Sequence, residues 1–120
     1  MNLTDENYHM FNKEAFMKCK KHPIIVNEGR GPLICDEDLV WALDNGYIRG
    51  AALDMVESED PDLDTCPLVG RDDVLLTPHI AGTTVDAIPR APFLLMREVD
   101  RFLADGVTDR VVNQASITLE

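Results

Sequence analysis

The chain has 120 residues, 45% apolar and 28% charged, an ordinary composition for one globular domain that excludes collagen-like and low-complexity classes. Eleven Lys and Arg against twenty-two Asp and Glu give a net charge of −11, a surface that repels nucleic-acid phosphates and anionic head groups. Its apolar runs, such as Ile24 to Val26 and Phe93 to Met96, fall far short of the roughly 20 residues of a bilayer span, so neither nucleic acid nor membrane is an expected partner.

The first element is expected over Asn12 to Lys20. Asn12 can accept amide hydrogen bonds at a helix start, and Ala15, Phe16 and Cys19 then share one face. His22-Pro23 stops that helix. Ile24-Ile25-Val26 is short, apolar and β-branched, the pattern of a parallel strand buried on both faces. Asp36 is expected to cap a second helix, with Glu37 and Asp38 in its first turn, Leu39, Ala42 and Leu43 inward, and Asn45-Gly46 as the left-handed exit. Strands are expected at Gly50 to Val56 and Asp73 to Thr77, separated by an acidic loop from Glu57 to Gly70. A last helix starts near Thr83, with a break expected around Ile88 to Ala91 because Pro89 and Pro92 remove amide donors. Phe93, Met96, Val99, Phe102 and Leu103 then keep helical spacing up to Gly106.

Helix, strand, helix, strand, loop, strand, helix reads as α/β with a parallel sheet. Open sheets of this kind bind ligands beyond the carboxyl ends of their strands. Those places hold Asn27-Glu28-Gly29-Arg30-Gly31, Asp54 to Glu59, and Thr77-Pro78-His79-Ile80-Ala81-Gly82. An Arg, several carboxylates and a His, each at a different strand tip, form a plausible catalytic set. Each also has a plainer reading, as turn, cap or solvated loop. Cys19-x-x-His22 has no second pair at zinc-site spacing, and the acidic loop lacks the Gly and terminal Glu of a calcium loop, so no metal is expected. Three unevenly spaced cysteines suit reduced thiols, and the first residues lack the pattern of a signal peptide; the expected location is cytoplasmic.

Val26 to Gly31, Gly50 to Asp54 running on to Glu59, and Leu76 to Gly82 together resemble the D-isomer-specific 2-hydroxyacid dehydrogenase family, which includes phosphoglycerate dehydrogenase. Leu3 to Asn7, Phe11 to Lys20 and Leu33 to Leu43 fit the same family in order and spacing, so the likeness spans about residues 2 to 113. It implies an NAD-dependent oxidoreductase exchanging hydride between nicotinamide and a small 2-oxo or 2-hydroxy acid, with NADP left open. In that reading Arg30 grips the substrate carboxylate and carbonyl, and His79 moves a proton at the C2 oxygen. Glu59 orients the imidazole and raises its pKa, although Asp60 stands where the family usually has proline. Glu28, Arg30, Asp54, His79 and Gly82 match cofactor-lining positions.

The resemblance further implies a partial Rossmann-like sheet, with residues 1–82 as the second half of a dinucleotide-binding domain and residues 83–120 as a C-terminal helix and return segment. The Gly-x-Gly-x-x-Gly turn that grips the pyrophosphate is not in these residues, and Gly29 and Gly31 merely flank Arg30. A truncated enzyme, weakly active or inactive alone, is the expectation. Its open sheet edge would pair with a second copy or a complementing chain, and a non-catalytic assembly module is the alternative.

Overall fold

The computed structural model describes residues 1–58 and 60–106. It divides into two compact units, Met1–Ala81 and the residues from Gly82 onward. The expected return segment after Gly106 lies outside the described residues.

Helix α1 (Lys13–Met17) begins where Asn12 Oδ1 accepts the Ala15 amide at 3.2 Å. It ends three residues before the predicted Lys20, closed by Lys18 and Cys19 amides donating to Ala15 and Phe16 carbonyls. Strand β1 (Ile24–Asn27) follows. After one 3-10 turn (Gly31–Leu33) comes α2 (Asp36–Asp44), then β2 (Gly50–Leu53) and β3 (Val74–Leu76).

The cap of α2 is Cys35 rather than Asp36, a correction with a physical cause. The Asp36 carboxylate is engaged elsewhere, accepting the Glu57 amide at 3.0 Å, while Glu57 Oε2 accepts the Asp36 amide at 3.3 Å. That reciprocal pair ties the start of α2 to the loop after β2. At the other end Gly46 takes φ +70°, as the Asn-Gly pair implies.

The sheet is parallel in the order β1-β2-β3, with Ile24 opposite Gly50 and Leu53 opposite Leu76. Strands β2 and β3 are shorter than predicted, since beyond Leu53 and Leu76 the chain turns to build the loops described below. Arg71 anchors the entry to β3 through Asp73, at 2.8 and 2.9 Å, and Asp44 at 2.8 Å.

Phe16, Leu39, Leu43, Ile48, Leu53, Val56 and Leu68 fill the core, joined by Ala42 and Ala51. Leu39 and Leu68 are wholly enclosed, and each buried side chain of that size contributes about 1.5–3 kcal/mol. The pleat sends Ile25, Ala51, Leu53, Val74 and Leu76 to this side. Burial of β1 on both faces is corrected: Ile24 is 52% and Val26 70% exposed, and on β3 Leu75 is 64% exposed. Within this unit α1 and α2 cover one face, and the other face carries the exposed Ile24, Val26 and Leu75.

The second unit is α3 (Ala87–Asp105). The predicted break at Ile88 to Ala91 does not occur. Pro89 falls in the first turn, where an amide would find no helical partner, and only Pro92 removes an interior donor. Thr84 Oγ1 and the Thr84 carbonyl both accept the Ala87 amide at 3.1 Å, helping to start the helix. Gly106 at φ +68° ends it as expected. Phe93, Met96, Val99 and Leu103 lie along it, exposed within this unit. No described helix is long and apolar enough to cross a membrane.

Candidate active site

The carboxyl ends of the three strands form one rim, and four of the predicted site residues, Glu28, Arg30, Asp54 and His79, stand on it. Asn27, the last residue of β1, builds the first loop. Its side-chain amide donates to the Arg30 carbonyl at 2.9 Å and its Oδ1 accepts the Gly29 amide at 3.1 Å, closing an Asx-type turn over residues 27–30. The Arg30 side chain is exposed, with Nη1 donating to the Gly29 carbonyl at 3.0 Å.

Gly31 lets this loop lie against the one after β2. A Cβ at Gly31 would stand 1.7 Å from the Val56 carbonyl oxygen and 2.5 Å from its carbon. Backbone meets backbone there, so no side chain is tolerated and the Arg30 loop stays close to Val56.

Asp54 builds the third loop. It is 5% exposed, and its carboxylate accepts the Thr77 hydroxyl at 2.5 Å, the Ile80 amide at 2.9 Å and the Ala81 amide at 2.8 Å. Its backbone carbonyl also accepts the His79 amide at 2.8 Å. These bonds wrap residues 77–81 around one carboxylate and hold His79 in the left-handed region at φ +54°. The Thr77 hydroxyl first, then the Ala81 and Ile80 amides and the nearby His79, hold the Asp54 carboxyl below the usual carboxylate range despite its burial.

Arg30, Asp54 and His79 consequently line one cavity of about 550 Å³, with Met55, Val56 and Ser58 on its wall and Leu3, Pro61 and Leu63 among its apolar lining. Glu28 stands beside a smaller hollow of about 120 Å³ at the ends of β1 and β2, which also reaches Asn27, Asp54, Thr77 and Ala81. Gly82 belongs to the second unit and has open space around it. Glu59 lies outside the described residues, although its neighbour Ser58 lines the cavity.

Sequence reasoning assigned no role to Asn27 or Thr77, the two side chains that shape the loops. Asn27-x-Gly29 was a legible turn signal. Nothing local marks Thr77 as a partner of Asp54, since that bond crosses from one strand end to the next.

A parallel α/β sheet whose strand ends carry the polar groups, with a cavity above them, defines an open Rossmann-like sheet that binds ligands at its strand ends. Residues 1–81 match the family model described as the D-isomer specific 2-hydroxyacid dehydrogenase NAD-binding domain. The chain belongs to that family, and the matched residues fall within the family's NAD-binding domain. It is 41% identical over 112 residues to a glyoxylate reductase of Thermofilum pendens, covering 93% of this chain and 33% of that one. Among solved structures, phosphoglycerate dehydrogenase from Lactobacillus plantarum superposes with a TM-score of 0.69 at 36% identity, covering 92% of this chain and 35% of that one. The D-isomer specific 2-hydroxyacid dehydrogenase from Xanthobacter autotrophicus Py2, in complex with NADPH and MES, reaches a TM-score of 0.82 at 29% identity, covering 96% and 46%. The chain spans about a third of the length of the curated relatives it matches.

Beside the smaller hollow the Glu28 side chain is exposed and free to meet a polar group of a nicotinamide dinucleotide, whereas the Asn27 and Asp54 side chains are bonded within the loops, and among the described residues no Lys or Arg lines the hollow to receive a pyrophosphate.

Proposed function

We propose that this chain carries the catalytic wall of an NAD-dependent oxidoreductase acting on a small 2-oxo or 2-hydroxy acid. The observation that carries the reading is the meeting of Arg30 and His79, from different strand ends, on one cavity. Arg30 binds the substrate carboxylate through its planar fork and leans on the carbonyl oxygen. His79 gives a proton to that oxygen in reduction and takes it back in oxidation. Glu59 orients the imidazole in this reading. Glu28, Asp54 and Gly82 serve the nicotinamide side, with NADP as well as NAD in scope. The cofactor, when bound, supplies or accepts the hydride at the substrate's C2.

The 120 residues alone turn over weakly or not at all, since they include no Gly-x-Gly-x-x-Gly turn to hold the pyrophosphate. Activity requires residues bearing that turn, supplied by a complementing polypeptide in the cytoplasm; pairing with a second copy belongs to the assembly reading below. Coexpression with a polypeptide bearing that turn tests this directly. NADH-dependent reduction of glyoxylate or pyruvate is expected with the parent chain, and at least about 100-fold less with Arg30→Ala or His79→Gln. Equal turnover in parent and Arg30→Ala refutes the assignment. Micromolar NADH binding by the chain alone contradicts the need for a partner.

A second reading, a non-catalytic assembly module, is favoured by the open β1 edge and the exposed Ile24, Val26 and Leu75. Sedimentation at several concentrations separates them: a well-folded monomer throughout counts against assembly through this sheet.

A further inference from the structure

Away from the cavity rim, three potential metal ligands come together that no short motif connects. His9, Cys35 and Glu57 are each half-buried, and their ligand atoms all lie within 4.8 Å of one another. They arrive from three places: the turn before α1, the cap of α2 and the loop after β2. Glu57 Oε1 already pairs with His9 Nε2 at 2.7 Å, and the Tyr8 hydroxyl donates to the same oxygen at 3.3 Å.

The three backbones are fixed independently of that pairing. The His9 amide donates to the Pro32 carbonyl at 2.9 Å, with His9 held at φ +51°. The Cys35 amide donates to the Phe11 carbonyl at 3.1 Å. The Glu57 amide donates to the Asp36 carboxylate at 3.0 Å. Side-chain rotation alone is then asked to complete a site, which lowers the ordering cost of binding.

We propose that His9, Cys35 and Glu57 form a zinc-binding site, with a water in the fourth position. One imidazole, one thiolate and one carboxylate are a borderline-soft donor set that suits Zn²⁺ and not the oxygen-seeking Mg²⁺ or Ca²⁺. Metal–ligand bonds of about 2.0–2.3 Å at tetrahedral angles place donor atoms roughly 3.3–3.7 Å apart. Reaching that spacing requires the His9–Glu57 pair to open by about 0.6 Å and the sulfur to close by up to about 1.2 Å. The His9 side chain is 27% and the Glu57 side chain 32% exposed, which gives the ion an entry path. Binding replaces the His9–Glu57 hydrogen bond by two coordinate bonds, with the proton of His9 Nε2 passing by way of solvent to Nδ1 so that the imidazole stays neutral, and releases the Cys35 thiol proton to solvent. The ion would fasten the loop after β2, whose Met55, Val56 and Ser58 line the cavity.

The test uses the full chain, stripped with a chelator and kept reduced, titrated with ZnCl₂ against a chromophoric competitor and separately with CoCl₂. Expected is one equivalent of Zn²⁺ bound at about 1 µM or tighter, and a tetrahedral Co²⁺ spectrum with a thiolate charge-transfer band. Losing a ligand should cost at least the 10–100-fold seen for outer-shell partners, so Cys35→Ser and His9→Gln each weaken binding by about 100-fold or more, and Cys35→Ser abolishes the band. Cys19→Ser leaves both unchanged. Circular dichroism of each variant separates ligand loss from unfolding. No binding tighter than about 100 µM, or binding that survives Cys35→Ser and His9→Gln in folded protein, overturns the proposal.

Discussion

Replacing Gly31 by Ala tests how tightly the Arg30 loop is held. The added methyl carbon would meet the Val56 carbonyl oxygen at 1.7 Å and the Glu57 amide nitrogen at 3.1 Å. Ordinary contact begins near about 3.5 Å, so the two loops must part by about 2 Å. Overpacking inside a well-filled structure costs about 1–3 kcal/mol when side chains can yield. Here both partners are backbone, and about 3 kcal/mol or more is expected. For a unit of this size that is a fall in Tm of roughly 12–24 °C, read by circular dichroism. The same parting pulls Arg30 from the cavity. Gly82→Ala is the control, since a Cβ there meets nothing within 4 Å. A Gly31→Ala chain melting within about 2 °C of the parent would refute the reasoning.

Asn27→Ala removes both side-chain hydrogen bonds that close residues 27–30, at a cost of about 1–2 kcal/mol. The Gly29 amide should then exchange with solvent at least about 10-fold faster, and an unchanged rate would show that the turn closes without Asn27. Because its partners depress the Asp54 pKa in the folded chain, the unfolded state binds the extra proton. Stability from this group is therefore full above the unfolded value of about 3.9 and lost as pH falls through the folded value. Asp54→Asn should flatten the acid limb of a stability–pH profile while lowering stability at neutral pH, since one amide donor would face the Ile80 or Ala81 N–H. An acid limb identical to the parent's contradicts this.

Much of the fold was legible because periodicity and caps are local. Asn12, the Asn45-Gly46 exit, Gly106 and the run Ile24 to Val26 each announce an element within a few residues. Whether Val26 is covered depends on what packs over the sheet, which the run itself cannot encode. The proline break failed because a proline's cost depends on its place in the helix, and Pro89 sits where its missing amide costs nothing. Asp36 was misread as a cap because its true partner, the Glu57 amide, is distant in sequence. At the site, strand-end position and family motifs single out Arg30, Asp54 and His79, and the fold brings these three to one cavity. The bonds that place them, from Asn27 and from Asp54 to Thr77, Ile80 and Ala81, join chain segments that no local pattern connects. The His9, Cys35 and Glu57 cluster escaped notice for the same reason.

The central claim is that Arg30 and His79 serve one 2-oxo acid site. Titrating isotope-labelled chain with pyruvate to about 10 mM, a range suited to weak ligands, while following backbone amide and His79 ring resonances tests it most directly. Shifts confined to Arg30, Gly31, Met55 to Ser58, Thr77 and His79, and abolished by Arg30→Ala, are expected. Shifts that leave these residues untouched, or that persist unchanged in Arg30→Ala, would contradict it.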